Sequence, residues 1–554
     1  MLRRYTAAAA VVLGLGACGY AAVGMQSMPD GSGDPITSSE LTATNVMFPG
    51  DLSPSATHSQ KAYYAWRLFI AAMQQTDATL TSGTDRGTPS SSSTFIKTGQ
   101  SPTLANPLVF ESFYHRTEAF PYYTGSKPAS QVGQPPVYRT YYEDNSNKVA
   151  VELTGKNYVY LDETNEIGQN FLYYQQSKDP NFPVLFMAKV SASETTYAYN
   201  MSYGPSSGQS WNFPDDVIEV KTAWRRISDI QFSDPNDYHQ ATANYWVDNG
   251  SDAPTLVTDT FALVAIHIIH KTANYPEFIF STFEHVDAVT RDQAGGIVDP
   301  AYKTTYANVA YQSPHSSPVT ATYTGAYDDI APGQPPASNV NSTTSLPTEG
   351  TVSTGFTTVV QPKTITSEVN NANNAVRSLI IAADPDNIWA NYRLKGVQAG
   401  PTSDTTAPDF YLANIAVESS QPGVQLFSGV LKNGGVPQGS NGGYLVNCRG
   451  DKGSTTCLYP AAAGVSGDTD LSTYKNVSLG VQQGVAVPAP TYDVGGCQGC
   501  HGAAQQLGRD FSFLANGALG KGKELDSVAA SSMSPEERAA HNKEMANSSA
   551  FEIH

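Results

Sequence analysis

The most specific chemical pattern in the sequence is a pair of cysteines followed by a histidine, close to the carboxyl end. Cys497, Cys500 and His501 form C-x-x-C-H, the attachment pattern of a c-type haem. Two thiols at this spacing can each bond one vinyl group of a porphyrin, and the next imidazole can ligate the iron. The motif therefore predicts one haem c, held by Cys497 and Cys500, with His501 as the proximal axial ligand.

Two other chemistries also use a C-x-x-C pair. The cysteines could form a reduced dithiol, or they could be half of a zinc site, which needs a second pair of Cys or His at similar spacing. No such pair follows in the sequence. Haem attachment is the interpretation that accounts for all three residues of the motif.

The function of such a haem depends on the other axial position of the iron. A strong sixth ligand favours electron transfer, whereas an open position permits chemistry on small molecules. The candidates for this position are His267, His270, His285, Met533 and Met545. On a strand His267 and His270 face opposite sides, so only one of them can share a face with His285.

The same histidines could instead have a structural or a separate metal-binding role. They can be sheet residues paired with acidic neighbours, or ligands of a second metal ion. Met187 lies in an apolar segment and is predicted to fill space in the core. Arg225 could form a distal Arg–His pair that cleaves an O–O bond; alternatively it pairs with Glu219 or with a haem propionate.

Haem c is attached outside the cytoplasm, so the motif predicts an exported chain. Residues 1–17 have a short basic start followed by an apolar stretch too short to cross a bilayer, as in a signal peptide. Cys18 then ends a lipoprotein-like box, so we expect a lipidated Cys18 that anchors the protein, with the outer membrane as its destination. Ordinary cleavage a few residues later is the alternative. Either outcome places the protein in the periplasm or at the cell surface.

The remaining two cysteines lie nine positions apart. Cys448 and Cys457 are predicted to form a disulfide, which the oxidising compartment permits. A loop this short would stabilise the fold by about 3 kcal/mol or less.

Composition limits the classes of partner and fold. The 554 residues carry a formal net charge of -18, which opposes binding to nucleic acid or to anionic lipid surfaces, so the lipid anchor is the only membrane attachment expected. The partner is expected to be a redox protein or a small-molecule substrate. A low charged fraction with many Tyr, Thr, Ser and Gly residues is typical of β-rich exported proteins.

The periodicity of apolar residues predicts helices at Ser59–Gln75 and Ser367–Ala383. Segments rich in β-branched and aromatic residues predict strands at Val149–Leu161, Val184–Val190, Val217–Ile227, Thr258–His270 and Pro276–Val289. Short connections favour antiparallel pairing. We therefore expect an α+β fold with a β-rich antiparallel body, flanking helices and a C-terminal haem-attachment segment.

The domain prediction places a flexible tether at residues 18–55 and a single haem-containing domain at residues 56–514. Residues 76–106 are predicted to form an exposed loop. A low-complexity insertion is predicted at about residues 313–363, and a polar tail at residues 515–554.

Several segments of the sequence form a recognisable set: Ala65–Phe69, Ile218–Arg225, His267–Thr272, Ser281–Asp287 and the C-x-x-C-H motif followed by Asp510–Phe513. Together they resemble a group of large, exported bacterial proteins described only as cytochrome c family proteins. The resemblance spans roughly residues 58–514 and implies a haem built into one large unit. It implies no particular substrate.

The expected function is electron transfer. The alternative is a haem-dependent oxidoreductase, peroxidase-like or oxygenase-like, with an open distal site, because electron transfer alone needs far fewer residues than this chain has. A third possibility is a surface protein whose haem only stabilises the fold.

Overall fold

The computed structural model describes eight longer stretches of the chain and a set of short ones. The longer stretches are residues 33–79, 86–100, 107–119, 184–200, 212–230, 234–247, 255–287 and 365–400. The short ones are residues 137–139, 148–150, 159–161, 172–174, 178, 182, 310–312, 319–324, 349–354, 357–358, 407–409, 431–432, 491–492, 497–498, 501, 510–512 and 514.

The described helices are α1 Ser38–Thr42, α2 His58–Ala72, α3 Phe95–Thr98, α4 Val109–Ser112, α5 Arg116–Ala119, α6 Ala192–Asn200 and α7 Ser367–Ala383. The two longest, α2 and α7, begin at threonine N-caps. Thr57 and Gln60 form a capping box at the start of α2, and Thr366 caps α7 by accepting the Val369 N–H.

The described strands are β1 Tyr114–His115, β2 Val137–Arg139, β3 Lys148–Ala150, β4 Val159–Tyr160, β5 Leu172–Tyr174, β6 Leu185–Val190, β7 Ile218–Arg226, β8 Gln240–Val247, β9 Thr255–His270, β10 Ile279–His285, β11 Ala310–Gln312, β12 Val319–Thr324, β13 Glu349–Thr354, β14 Thr357–Thr358, β15 Tyr392–Gln398, β16 Leu431–Lys432 and β17 Thr491–Tyr492.

The main sheet has eight strands, with the order β1-β6-β7-β9-β10-β15 and with β8 and β4 added along β9. The long strand β9 organises it. On one side the whole second half of β9 pairs with β7, and on the other side β9 pairs first with β8 and then with β10. All these pairs are antiparallel, but β4 and β8 are parallel, so the sheet is mixed. It curls into a half-barrel.

Helix α2 lies on one face of this sheet, inside an aromatic core. The Phe69 ring stacks on Phe283 of β10 at 4.4 Å between centroids, and Trp66 meets the same ring edge-on at 4.9 Å. Trp66 also donates its indole N–H to Asn373 Oδ1 of α7 at 3.0 Å, which joins the two helices. Packed aromatic pairs stabilise a fold by more than the burial of their surface area alone, so this cluster is a main source of stability.

The β-rich body with flanking helices is confirmed, and so are the elements with the strongest patterns. Helix α7 has the predicted bounds, α2 differs at its ends, and β6, β7, β9 and β10 lie within or close to the predicted strands. The sheet differs from the predicted antiparallel body in being mixed. The parallel pair is formed by a two-residue strand, β4, and β8.

The amino-terminal part of the fold also differs from the prediction. Within the range assigned to the tether, Leu41 and Leu52 are fully buried, so the packed structure includes residues well before His58. The predicted loop after α2 likewise contains the buried helix α3, capped by Thr94. Neither segment has the regular apolar spacing from which burial can be inferred.

Several predictions lie outside the described residues. These are the signal peptide, Cys18, the Cys448–Cys457 disulfide, Cys500, Met533, Met545 and the tail at 515–554. Within the predicted insertion, the described strands β12 and β13 pair with each other. Among the described residues, no helix combines the length and apolarity needed to cross a membrane.

Candidate functional site

The two faces of the main sheet differ in chemistry. Because side chains alternate along a strand, β9 directs Ile266, Ile268 and His270 to the face covered by α2. The opposite face carries buried polar and charged side chains beside a smaller apolar cluster around Ala223 and Ala265, and we call it the charged face. Its members are Glu219, Lys221, Arg225, His267, Thr282, Glu284, Arg393 and Gln398. Buried charges need partners, and Arg393 has one in Glu284, to which it donates at 2.9 Å.

The C-x-x-C-H motif contacts the sheet at the start of β10. Gln498, inside the motif, donates its backbone N–H to Gln398 Oε1 at 3.1 Å and its side-chain amide to the Phe278 carbonyl at 2.8 Å. Cys497, just before it, is 8% exposed. The hydrogen bonds of Gln498 therefore hold the described part of the motif against the sheet.

A hydrogen bond and a ring contact help to orient His501. Its Nδ1 lies 2.6 Å from the Phe511 carbonyl, and its ring meets Phe280 of β10 edge-on at 4.7 Å. A carbonyl oxygen only accepts, so Nδ1 carries a proton, and in the neutral imidazole the ring lone pair is then on Nε2. Metal-ligating histidines in proteins show this arrangement, because the donated N–H fixes the tautomer and the ring orientation.

The segment after the motif is anchored by a buried ion pair. Asp510 accepts from Lys271 Nζ at 2.5 Å and from the Phe213 backbone N–H at 2.9 Å, while Lys271 also donates to Asn212 Oδ1 at 2.8 Å. Both charged side chains are almost fully buried. Desolvation raises the pKa of Asp510, and the contact with Lys271 opposes that shift. Asp510 has a φ of 56°, a conformation that aspartate tolerates better than most residues.

Two of the three candidate histidines lie on the core face, as parts of hydrogen-bonded core structure. His270 Nδ1 lies 2.8 Å from the Tyr64 hydroxyl, and desolvation lowers the pKa of His270 to about 3. His285 stacks on Tyr238 at 3.7 Å between centroids, and its pKa is lowered to about 4, mainly by desolvation.

The register separates these two histidines. His270 is paired with Ile279, the first residue of β10, and His285 is the last. Six residues of strand correspond to about 20 Å. His270 is therefore the β9 histidine that shares a face with His285, as alternation predicts for one of the two. The two rings lie too far apart along the strands to form one site. Within the described ranges no three His, Cys, Asp or Glu side chains converge as a metal site.

His267 is the candidate histidine on the charged face. It faces the side opposite to His270, as alternation predicts, and its Nδ1 shares a hydrogen bond with Thr282 Oγ1 of β10. Thr282 is two residues from Phe280, the ring that His501 contacts. His267 and the motif therefore meet the same face of the same strand.

The register places Arg225 far from both Glu219 and His267. Its guanidinium donates to the Asp229 carbonyl at 3.3 Å. Its register partner on β9 is Ala262, five residues from His267, or about 17 Å along the strand. Glu219 is six residues away on β7, about 20 Å. Neither an Arg225–His267 distal pair nor an Arg225–Glu219 ion pair is present, whereas Met187 is a core residue as predicted.

Sequence reasoning missed the burial of the charged face. The segment Ile218–Arg225 alternates apolar residues with Glu219, Lys221 and Arg225, which is the pattern of a strand with one side in water. In the structure both sides are covered. The Lys271–Asp510 pair was also missed, because the two residues are 239 positions apart and no local pattern links them.

Comparison with known proteins identifies no relative of this chain. No protein-family model, no curated protein and no solved structure matches this chain.

Proposed function

We propose that the protein is an exported c-type cytochrome that carries one haem and transfers electrons. The observation that carries the proposal is the C-x-x-C-H motif, with Cys497 and Cys500 as the thioether residues and His501 as the proximal ligand of the iron. When bound, the haem supplies an iron that alternates between its ferric and ferrous states.

The contacts of the described motif residues fit this group. The hydrogen bond from His501 Nδ1 to the Phe511 carbonyl gives the imidazole the tautomer that an axial ligand requires. The two hydrogen bonds of Gln498 hold this part of the motif against the end of β15 and the residue before β10, so the sheet sets the position of the neighbouring Cys497. Preorganised ligands lower the cost of placing a metal centre.

The protein body tunes and shields the site in this proposal. Buried charges and hydrogen bonds close to a haem set its reduction potential, and the charged face provides both next to the motif. Among the proposed distal ligands, His267 is favoured over His270 and His285, since these two lie on the core face. Met545 stays a candidate from the sequence.

The proposed location is the periplasm or the cell surface, with a lipid on Cys18 as an outer-membrane anchor. A signal peptide at residues 1–17 supports this location. The acidic net charge of -18 favours a redox partner with a basic docking surface.

The test is to produce the full chain in a host that matures c-type cytochromes. Intact-mass measurement should show the mass of one haem added to the mature polypeptide, and the variant with Cys497→Ala and Cys500→Ala should lack it. The His501→Ala variant should keep the covalent haem, because the thioether bonds remain, but change its absorption spectrum. A wild-type chain without any tetrapyrrole mass would refute the proposal.

The alternative is a haem-dependent oxidoreductase with an open distal site. The feature that favours it is the size of the described body, which exceeds what electron transfer needs. Binding of carbon monoxide distinguishes the two functions. A ferrous haem that does not bind it indicates a six-coordinate carrier, and prompt binding indicates an open catalytic site.

A further inference from the structure

A buried histidine and an exposed aspartate meet beside the anchor of the haem-attachment segment. His270 is the last residue of β9, and its Nε2 lies 3.9 Å from Oδ1 of Asp216. The His270 side chain is 2% exposed, whereas that of Asp216 is 80% exposed. The Asp216 backbone N–H donates to the carbonyl of Lys271, the residue that forms the ion pair with Asp510. The contact therefore lies at the surface, next to the segment that positions His501.

Hydrogen bonds inside the core determine which His270 nitrogen carries the proton. The Tyr64 hydroxyl lies 2.9 Å from the Gly50 carbonyl and 2.8 Å from His270 Nδ1. A carbonyl only accepts, so both bonds form only when the hydroxyl donates to Gly50 and Nδ1 donates to the hydroxyl. Desolvation raises the pKa of Tyr64 and lowers the pKa of His270 to about 3, so the phenol keeps its proton and the imidazole is neutral. His270 Nε2 therefore carries a lone pair.

A lone pair and a carboxylate face each other in this contact, and neither can donate a hydrogen bond. Among the described residues, His270 Nε2 has no hydrogen-bond partner, and no Lys or Arg forms an ion pair with Asp216. Two facing acceptors are stabilised by a donor that bonds to both. At a separation of 3.9 Å, one ammonium nitrogen can lie about 2.9 Å from each acceptor, the ordinary hydrogen-bond distance.

Two further carboxylates add negative charge around this contact. Asp215 precedes Asp216 in the same exposed turn. Asp51 follows Gly50 in the chain and accepts from the backbone N–H of Asn274 at 2.9 Å, a neutral donor that does not compensate its charge. We call Asp51, Asp215 and Asp216 the acidic rim. A cation at the rim is favoured by the whole group, whereas a water molecule would not balance its charge.

An ammonium group fits the rim better than a metal ion does. Within the described ranges no three His, Cys, Asp or Glu side chains converge as a metal site, and zinc sites use at least three protein ligands. A lysine side chain brings three N–H donors on one positive centre, so two acceptors can hold it. The formal net charge of -18 also attracts a basic protein as the source of that lysine.

The acidic rim adjoins the place where electrons would enter or leave. The loop before β7 contains both the exposed turn 215–216 and Phe213, whose backbone N–H donates to Asp510 at 2.9 Å. The next residue along, Phe511, accepts the hydrogen bond from His501 Nδ1. A protein bound at the rim is therefore close to the haem-attachment segment, as electron transfer requires.

We propose that the acidic rim is the docking surface for a basic redox protein, and that one lysine ammonium of this partner binds between His270 Nε2 and Asp216. The redox role of the partner rests on the proposed function. The ammonium site does not, because its acceptors belong to the described chain alone.

The first test is calorimetric titration of the full chain with tetralysine at low salt. Asp216→Asn should weaken binding by roughly two- to fivefold, the range of an exposed ion pair. The matched control is Asp386→Asn, which also removes one exposed carboxylate. Asp386 precedes the start of β15, whereas Gln498 of the motif contacts the other end of that strand, about 20 Å away.

The control should bind tetralysine like the wild type. Equal effects of the two substitutions would mean that the peptide responds only to net charge, and would overturn the inference. Absence of tetralysine binding also overturns it. Zn²⁺ that binds in place of the peptide and depends on Asp216 would make the contact a metal site, with the same consequence.

A second test observes the histidine directly. In full chain with ¹⁵N-labelled histidine, the His270 signals are assigned by their absence from the His270→Gln variant. Nε2 should be the unprotonated nitrogen, and its chemical shift should change when tetralysine is added. A protonated Nε2 in the free protein, or an Nε2 signal that does not respond to the peptide, overturns the proposed ammonium site.

A third test concerns the redox partner and uses the haem-loaded protein. Stopped-flow absorption follows electron transfer to a lysine-rich soluble cytochrome c from about 0.01 M to about 1 M salt, which shortens the Debye length from about 30 Å to about 3 Å. The wild-type rate should fall steeply with salt. The double variant Asp215→Asn, Asp216→Asn should be at least about threefold slower at low salt and less sensitive to salt.

The double variant Asp384→Asn, Asp386→Asn is the control and should transfer electrons like the wild type. Equal rates in the rim variant and the control would place the docking surface elsewhere and overturn the inference, while the cytochrome proposal would stand. A mature chain without haem would refute the cytochrome proposal and with it the redox partner. The tetralysine and ¹⁵N results would then decide the ammonium site by themselves.

Discussion

At the scale of single residues, the buried ion pair between Lys271 and Asp510 is the contact on which the position of the motif most depends. Asp510 precedes Phe511, whose carbonyl orients His501, so the ion pair ties the sheet to the segment that positions the proposed axial ligand. A buried pair contributes little net stability compared with an apolar replacement, but removing one partner leaves a costly charge.

We therefore expect Asp510→Asn to destabilise the fold by about 3 kcal/mol, because Lys271 keeps a buried charge with a weaker partner. Urea unfolding of the full chain measures the loss. The double variant with Lys271→Met should recover much of it, since both charges are then absent. Equal destabilisation of the single and double variants would show that the ion pair is not what holds the segment.

The three strand histidines give a second prediction at this scale. His270 and His285 lie on the core face and have partners there, so His270→Ala and His285→Ala should leave the haem absorption spectrum unchanged. His267→Ala should alter the spectrum, since His267 lies on the face that the motif contacts. Circular dichroism checks that each variant is folded. A spectral change in either core-face variant with unchanged circular dichroism would contradict the assignment of faces.

At the scale of secondary-structure elements, long periodic segments were predictable and short buried ones were not. Helix α7 shows four turns of regular apolar spacing, and β9 contains a continuous run of β-branched and apolar residues. Helices α1 and α3 have five and four residues, too few for a period to be visible. They are held by caps and by tertiary contacts such as the Arg67–Glu40 ion pair between α2 and α1.

Asn373 joins three of these elements, and its loss should be costly. Its Oδ1 accepts from the Trp66 indole of α2 and from the Leu394 backbone N–H of β15, and its Nδ2 donates to the Leu394 carbonyl. Asn373→Ala leaves these buried groups without partners, at about 1–3 kcal/mol each. We expect a loss of roughly 3 kcal/mol or more in urea unfolding.

The neighbouring Asn374→Ala variant is the control for this prediction. Asn374 is on the same helix but its side chain is exposed, so its replacement should change stability by no more than about 0.5 kcal/mol. Similar effects of the two substitutions would mean that the interaction between α2, α7 and β15 does not depend on Asn373.

At the scale of the whole molecule, the feature that sequence could not predict is that both faces of the central strands are covered. The alternation in β7 correctly identifies one apolar and one charged side, but it does not show what covers the charged side. That cover comes in part from the C-terminal motif segment, hundreds of residues away in sequence. The motif itself was predictable because its chemistry is local; its contacts were not, because they are long-range.

Burial of two histidines in this core contributes to the dependence of stability on pH. His270 and His285 have folded pKa values of about 3 and about 4, lowered mainly by desolvation, whereas the unfolded value is about 6.5. The unfolded chain therefore binds more protons below about pH 6.5, and stability is lost as the pH falls through that value. Each histidine can contribute up to about 1.4 kcal/mol per pH unit.

This dependence should be visible as a difference between the wild type and the double variant His270→Gln, His285→Gln. Urea unfolding from about pH 7 down to about pH 5 should show the wild type losing stability more steeply than the variant, by roughly 2 kcal/mol per pH unit. Parallel pH profiles would show that neither histidine is kept neutral by the fold.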